Sequence, residues 1–276
     1  MSNSQDHSGE KLTIERPGQR YTDGNLEART IHLAREVPYT LFVNDREILS
    51  MATLPTHLRE LFVGFMVSEG VLLSPSEILE CAVDHGNRLI RLELDVPDER
   101  LEKVEKRGML TSGCAGGLVF SVETAAAPRA GTREPLQIST SCILDRMREL
   151  DTFRGIYSIT RGVHAASAAT DKETLIILED LGRHNAVDKI VGHCFLQGID
   201  PKDKLLLTTG RITSEVLTKA ARSNFPMVIS RSSASAMAVA MGEQSGIDVI
   251  TYVRGGRFNY FSHGGVKLSV GSCQKD

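Results

Sequence analysis

Leu58, Leu61, Phe62, Phe65 and Met66 recur at spacings of three and four, which puts them on one face of a helix, and Gly70 follows as its stop. Just before it, residues 40–43 and 47–54 flank Asn44-Asp45, the pattern of a β-hairpin. Ser74-Pro75-Ser76-Glu77 is a capping box with proline at the first helical position, so a further short helix is expected there. Residues 89–94 set Ile90, Leu92 and Leu94 against Arg91 and Glu93, the alternation of a half-buried strand. Residues 98–107 read as a charged surface helix closed by Gly108, and residues 141–150 as a helix with Ile143, Met147 and Leu150 on one face. Residues 1–25 are polar and show no period, which predicts a flexible tail. Residues 122–138 are rich in Ala, Pro and Gly and read as a linker. The expected organisation is therefore a smaller α+β subdomain over 26–121 and an α/β domain over 139–276.

The second half is regular. Apolar runs at 174–178, 205–208, 227–230 and 248–253 alternate with helical patterns at 184–195, 213–222 and 233–243. Alternation of this kind implies a largely parallel sheet covered by helices. Each strand is followed by similar chemistry: Gly182-Arg183-His184, then Gly210-Arg211 with Thr213-Ser214, then Ser230-Arg231-Ser232-Ser233, then Arg254-Gly255-Gly256-Arg257. In an open parallel sheet the carboxyl ends of the strands share the edge where ligands bind. Arg183, Arg211, Arg231, Arg254 and Arg257 would then meet on one rim, with hydroxyls and helix N-termini, as a site for a polyanion such as pyrophosphate. No loop carries a Walker A or G-x-G-x-x-G pattern.

Composition narrows this picture. The 276 residues are 41% hydrophobic and 24% charged, ordinary for a globular protein, and a net charge of -3 argues against a general nucleic-acid surface. Any anion site must be a local concentration of positive charge. No apolar run approaches the roughly 20 residues of a membrane helix, and no apolar stretch follows the first methionine, so the expected compartment is the cytoplasm. Five scattered cysteines do not suggest a disulfide framework. Cys114 is set apart by its loop, Thr111-Ser112-Gly113-Cys114-Ala115-Gly116-Gly117, which is small, mobile and unhindered. Cys81, Cys142 and Cys194 lie in or beside apolar segments and read as packing, and Cys273 as incidental. His164 reads as structural. His184 caps a helix or meets a phosphate. Glu179 and Asp180 either hydrogen-bond the donor edge of a ligand or cap the next helix, the latter being the safer expectation.

With these residues in view, the chain resembles the formate dehydrogenase accessory protein family, FdhD. The likeness covers roughly residues 28–270. It rests on Glu36-Val37-Pro38, Gly64-Phe65 with Ser68-Glu69-Gly70, residues 111–114, Gly162-Val163-His164-Ala165, the unbroken stretch from Glu179 to Lys189, Gly210-Arg211, Ser230-Arg231 and residues 254–259. The resemblance implies a cytidine-deaminase-like fold for the larger domain, with a mixed or parallel sheet and helices on both faces, and a homodimer. It implies a sulfur carrier that a cysteine desulfurase loads with persulfide on Cys114. The sulfur would pass to the molybdenum (or tungsten) bis(molybdopterin guanine dinucleotide) cofactor before that cofactor enters formate dehydrogenase. Tyr252, Val253, Arg254, Gly255, Gly256 and Arg257 match the family's segment for this cofactor. No side chain is expected to ligate metal directly.

One departure from the family pattern stands out. Many members carry a second cysteine at C-x-x-C spacing, and here Gly117 stands in its place. A single thiolate suffices for a simple carrier, but a binding chaperone that moves no sulfur remains the alternative. Hydrolytic deamination is not expected: His184-Asn185-Ala186 lacks the glutamate of H-x-E, and the segment around Ser233 lacks the paired cysteines.

Overall fold

The computed structural model describes residues 11–108 and 135–271. Cys114 and its loop, Cys273, the first ten residues and most of the expected linker lie outside the described residues.

The chain opens with two strands, β1 (Thr13–Thr22) and β2 (Asn25–Ala34), paired as an antiparallel ribbon. Asp23 and Gly24 between them both have positive φ, 48° and 91°, as a two-residue hairpin turn of this hand requires. Ten of the 25 residues that read in sequence as a tail are thus a strand. Its period was invisible because nearly every residue of the ribbon is exposed, so no buried face writes an alternation.

Next come β3 (Val37–Val43) and β4 (Arg46–Thr53), the expected hairpin around Asn44-Asp45. The first helix, α1 (Leu58–Ser68), follows, with Gly70 at φ +77° ending it. The capping box at Ser74 is present, but it starts only a single 3₁₀ turn, Pro75–Glu77, which runs straight into a strand that sequence reading missed, β5 (Ile78–Asp84). After β6 (Leu89–Leu94) the chain forms α2 (Asp98–Gly108). The four strands order as β4-β3-β6-β5. Val37, Tyr39, Leu41 and Val43 alternate inward along β3 onto α1.

The larger half begins with β7 (Leu136–Ser139), so the last residues of the expected linker are a strand, paired in parallel with the final one. Then come α3 (Thr140–Thr152), α4 (Ile156–Thr160), β8 (His164–Ala169), β9 (Thr174–Asp180), α5 (Arg183–Leu196), β10 (Leu205–Thr208), α6 (Ser214–Arg222), β11 (Met227–Ser230), α7 (Ala236–Ser245), β12 (Asp248–Arg254), β13 (Arg257–Phe261) and β14 (Val266–Ser269). The sheet is mixed, in the order β13-β12-β11-β10-β8-β9. β10, β11 and β12 are parallel, while β8 is antiparallel to both β10 and β9. Two reversals restore direction, so β9 points the same way as β10, β11 and β12. The carboxyl ends of all four strands therefore share one edge, and β8 begins there.

Both faces of this sheet are covered, which explains the continuous apolar runs in its strands. Leu206, Val228 and Val249 face α5 and α6. Leu205, Leu207, Met227, Ile229 and Ile250 face α3. The α5 side shares one apolar cluster with β3, α1 and β6 of the first half. Contact between halves is closest where α1 crosses α5. A Cβ on Gly64 would lie 1.8 Å from the Asp188 carbonyl oxygen, and one on Gly192 would lie 1.9 Å from that of Glu60. Reciprocal glycines let the two backbones touch. Gly64→Ala and Gly192→Ala are each expected to lower the denaturant-unfolding free energy by about 1–3 kcal/mol, because the helices must separate. Unchanged unfolding midpoints would show that the crossing tolerates a methyl group.

Candidate functional site

The shared strand edge carries a cleft of about 520 Å³, within the roughly 300–1,000 Å³ typical of small-molecule sites. Its walls come from many elements. The end of α3 gives Asp151, and Phe153 follows it. α4 and its cap give Tyr157 and Arg161. The start of β8 gives His164, and the end of β9 gives Glu179. Thr209, Arg231, Ser232, Tyr252 and Arg254 come from the segments that close β10, β11 and β12.

The convergence expected from sequence therefore holds for Arg231 and Arg254, and not for all five arginines. Arg183 begins α5 with its side chain packed on Gly210. Arg211 is exposed and does not line the cleft. Arg257 sits opposite Arg254 across a hairpin, exposed and away from the cleft walls. The reason is the turn itself. Gly255 and Gly256 have φ of +59° and +75°, so the chain reverses into β13 instead of entering a helix, and Arg257 is carried onto the exposed edge strand of the sheet. Sequence reasoning missed Arg161, Tyr157, Phe153 and Asp151, since residues 151–163 have no strand-end pattern to flag them. The structural assignment of His164 also missed its place in the cleft wall; Gly162-Val163-His164-Ala165 was the available signal.

Local interactions hold the arginines in place. The Arg161 guanidinium lies 4.9 Å from the centre of the Tyr157 ring, and that of Arg254 lies 5.4 Å from the Tyr252 ring. Tyr252 itself has φ +55°, beside a register shift in the β12–β13 pairing. Arg231 Nη1 is 3.2 Å from Asp151 Oδ1. The His164 pKa is lowered by burial and then by the charge of Arg183, which favours a neutral imidazole in the wall.

Glu179 and Asp180 divide their labour, as neighbours on a strand must, because successive side chains point to opposite faces. Glu179 accepts from the backbone N–H groups of Ile156 (2.7 Å) and Tyr157 (2.9 Å), capping α4 from a distance in sequence rather than the helix that follows. Asp180 points the other way. Its carboxylate accepts from the Thr53 hydroxyl (2.5 Å), the N–H of Gly182 (3.2 Å) and Asn185 Nδ2 (2.9 Å). It also pairs with Lys189 at 2.7 Å, both side chains being fully buried. Lys189 donates further to the carbonyls of Glu179 and Leu54. Asp188 takes the Ser68 hydroxyl at 2.7 Å and Lys219 at 2.7 and 2.8 Å. Burial pulls the Lys219 pKa down, but Asp188, Glu215 and Glu69 outweigh it and raise the pKa. The stretch from Glu179 to Lys189 thus builds the frame of the site more than its surface.

His184 does not line the cleft. Its Nδ1 is 3.2 Å from Glu215 Oε2 and its Nε2 is 3.3 Å from Thr213 Oγ1. Burial, then Arg183, Lys219 and His164, push its pKa down to about 3, so the ring is neutral at pH 7, the Thr213 contact is a hydrogen bond of a neutral imidazole, and the Glu215 contact is no ion pair. Cys194 is buried against a second, more apolar cleft of about 770 Å³ near the ends of α1, α5 and α6, and burial pushes its thiol up to about 12, which makes it inert. Cys81 is partly buried in an apolar cluster as expected; Cys142 is buried in one too but is disulfide-bonded, which the scatter of the cysteines did not suggest.

The comparisons with known proteins agree with this architecture. The model of the FdhD/NarQ family matches residues 34–266. The chain belongs to the FdhD/NarQ family. A relative within it, "Sulfur carrier protein FdhD" of Bacillus subtilis (strain 168), is 33% identical over 254 residues, covering 92% of this chain and 97% of the relative. The protein of the same name from Staphylococcus aureus (strain MRSA252) is 32% identical over 253 residues, covering 91% and 95%. A crystal structure from Desulfotalea psychrophila, described as a "putative formate dehydrogenase accessory protein", superposes with a TM-score of 0.72 at 28% identity, over 91% of this chain and 97% of that one. The mixed α/β architecture is therefore an FdhD-family fold. Among the described residues no helix is long and apolar enough to cross a membrane.

Two measurements test the frame. Lys189→Met leaves the Asp180 carboxylate buried beside an apolar chain and is expected to cost about 3–5 kcal/mol in denaturant unfolding. Lys202→Met, at an exposed pair, should hardly register. Equal effects would contradict the ranking. For His184 the folded pKa lies below the unfolded value of 6.5, so its contribution is complete above pH 6.5 and is lost as pH falls toward 3. The stability difference between wild type and His184→Asn should shrink across that window; a difference independent of pH would contradict a buried neutral ring.

Proposed function

We propose that this chain is a sulfur carrier that serves the maturation of formate dehydrogenase. In this reading the Cys114 thiolate attacks the terminal sulfur of a desulfurase cysteine persulfide. The sulfur–sulfur bond breaks, the desulfurase cysteine leaves as a thiolate, and Cys114 holds the persulfide. The recipient, as bound cargo, is the molybdenum (or tungsten) bis(molybdopterin guanine dinucleotide) cofactor, whose nucleotide end occupies the cleft at the strand edge. The single observation that carries this reading is the cleft itself: Arg161, Arg231 and Arg254 converge there in a chain whose relatives are named sulfur carriers.

The geometry suits such a ligand in three respects. Three guanidinium groups offer forked donors to pyrophosphate oxygens. The Thr209 and Ser232 hydroxyls stand on the same wall. Aromatic rings from Phe153, Tyr157 and Tyr252 give apolar surface for a base. Of the segment 252–257 expected to bind the cofactor, Tyr252 and Arg254 are the residues offered to it; Val253 is buried, and Gly255-Gly256 shape the turn. Arg257 would reach the cargo only beyond the cleft, where the rest of the cofactor or a second copy of the chain stands. Two nucleotides in the cofactor and a cleft of this kind on each chain fit a homodimer.

A chaperone that holds the cofactor without moving sulfur is the rival, and Gly117 in place of a second cysteine keeps it in play. Incubation with a cysteine desulfurase and cysteine, followed by mass spectrometry, separates the two. A shift of about +32 Da on Cys114, one added sulfur, is expected, and Cys114→Ala should fold normally yet give inactive formate dehydrogenase. Full maturation by that variant would overturn sulfur transfer and leave the chaperone. Arg254→Ala should weaken GDP binding about tenfold or more, a change that reads directly as lost binding free energy; unaltered binding would place the nucleotide elsewhere.

A further inference from the structure

The β1–β2 ribbon takes no part in the cleft, and one of its two edges is open. A two-stranded ribbon alone in water is marginal and gains from further strands. Residues 25–31 of β2 are all exposed, and partial burial begins only at His32 and Ala34, where the base of the ribbon adjoins α4. The ladder fixes which backbone groups face outward. The Arg35 N–H donates to the Leu12 carbonyl oxygen, so residues 12 and 35 form a bonded pair. Bonded and non-bonded pairs alternate along an antiparallel ladder. In the register from Thr13↔Ala34 to Thr22↔Asn25, the pairs Pro17↔Thr30, Gln19↔Ala28 and Tyr21↔Leu26 are therefore non-bonded, with their N–H and C=O groups pointing away from the ribbon. On β1 this outward row contains Pro17, which has no N–H, so that edge is blunted. On β2 the row Leu26, Ala28 and Thr30 keeps every donor. Among the described residues no backbone hydrogen bond engages these outward groups.

We infer that β2 is the docking edge for a second copy of this chain, joining two ribbons into one four-stranded antiparallel sheet about a two-fold axis at Ala28. The edge is complementary to itself in that register. Ala28 meets Ala28, and main-chain hydrogen bonds form there and, on either side, between Leu26 and Thr30 of the second copy. Glu27 stands opposite Arg29 of the second copy, and the symmetry makes this pair of opposite charges twice. Tyr21 and Leu26, 69% and 65% exposed in the single chain, share a face and are continued across the seam by Thr30 and Pro17 of the second copy. Other axes fit less well. One at Arg29 sets like charges together and brings up groups already bonded within the ribbon. One at Thr30 sets Glu27 against Leu33 and Arg29 against Ile31. The paired stretch about Ala28 is also the stretch that is exposed, residues 25–31. This surface is independent of the cleft and of sulfur transfer.

Sedimentation equilibrium of the full chain tests the pairing. The wild type is expected to pass from monomer to dimer as its concentration rises. Ala28→Pro removes the donor at the axis, which the ribbon's own ladder does not use, and should leave a monomer. Charge exchange gives a readout that a misfolded variant could not. Glu27→Arg alone, or Arg29→Glu alone, sets like charges across the seam twice and should weaken self-association about tenfold or more. An equimolar mixture of those two variants should recover a dimer, because every pair across the seam is then of opposite charge. A wild type that stays monomeric at every concentration would leave the edge to a foreign strand and overturn the pairing. A dimer indifferent to Ala28→Pro, or charge-exchanged variants that do not recover each other, would overturn it as well.

Discussion

Everything at the strand edge depends on the buried pairing of Asp180 with Lys189. Two opposite charges with no exposure are expensive to remove from water, and such a pair persists only where its remaining hydrogen-bonding capacity is met. Here it is met by residues from β4, the β9–α5 turn and α5. The pair therefore pins the end of β9 to both halves of the chain at once. Because strand neighbours face opposite ways, fixing Asp180 inward fixes Glu179 outward. Glu179 then anchors the short helix α4, which has too few residues to hold itself and which carries Tyr157 and Arg161 to the cleft. A charge pair in the core thus sets the position of a guanidinium at the surface.

The same region holds the two halves together. Gly64 and Gly192 bring α1 and α5 to backbone contact, and the second buried pair, Asp188 with Lys219, lies beside that crossing with Ser68 of α1 bonded to it. The first-half sheet is in this way fused to the frame of the cleft instead of being tethered to it. α2, whose end leads toward Cys114, belongs to that first half and packs into the shared apolar cluster through Leu101 and Val104.

Much of this was legible in sequence, for identifiable reasons. The strands at 205–208 and 227–230 and the helix beginning at Leu58 are buried elements, and burial writes a pattern that periodicity can read. The arginine-bearing strand ends were visible as repeated chemistry, and the gathering of Arg231 and Arg254 followed once β9, β10, β11 and β12 proved to share a direction. What sequence could not supply was the insertion of β8 between β10 and β9, which brings His164 and Arg161 to the edge. Nor could it separate Arg254 from Arg257, since the difference lies in a turn that puts one into the cleft and the other outside it. The exposed ribbon of β1 and β2 was missed because an element with no buried face leaves no alternation. The stretch from Glu179 to Lys189 was read as a binding site, whereas Glu179, Asp180, Asp188 and Lys189 serve the interior.

The most direct test of the central claim is amide hydrogen exchange of the full chain with and without GDP, read peptide by peptide. The account predicts new protection at residues 151–165, 229–232 and 252–254, the three segments that meet at the strand edge, with the far cleft around Cys194 and Ile199 unchanged. Protection confined to that far cleft, or absent from all three edge segments at saturating GDP, would contradict it.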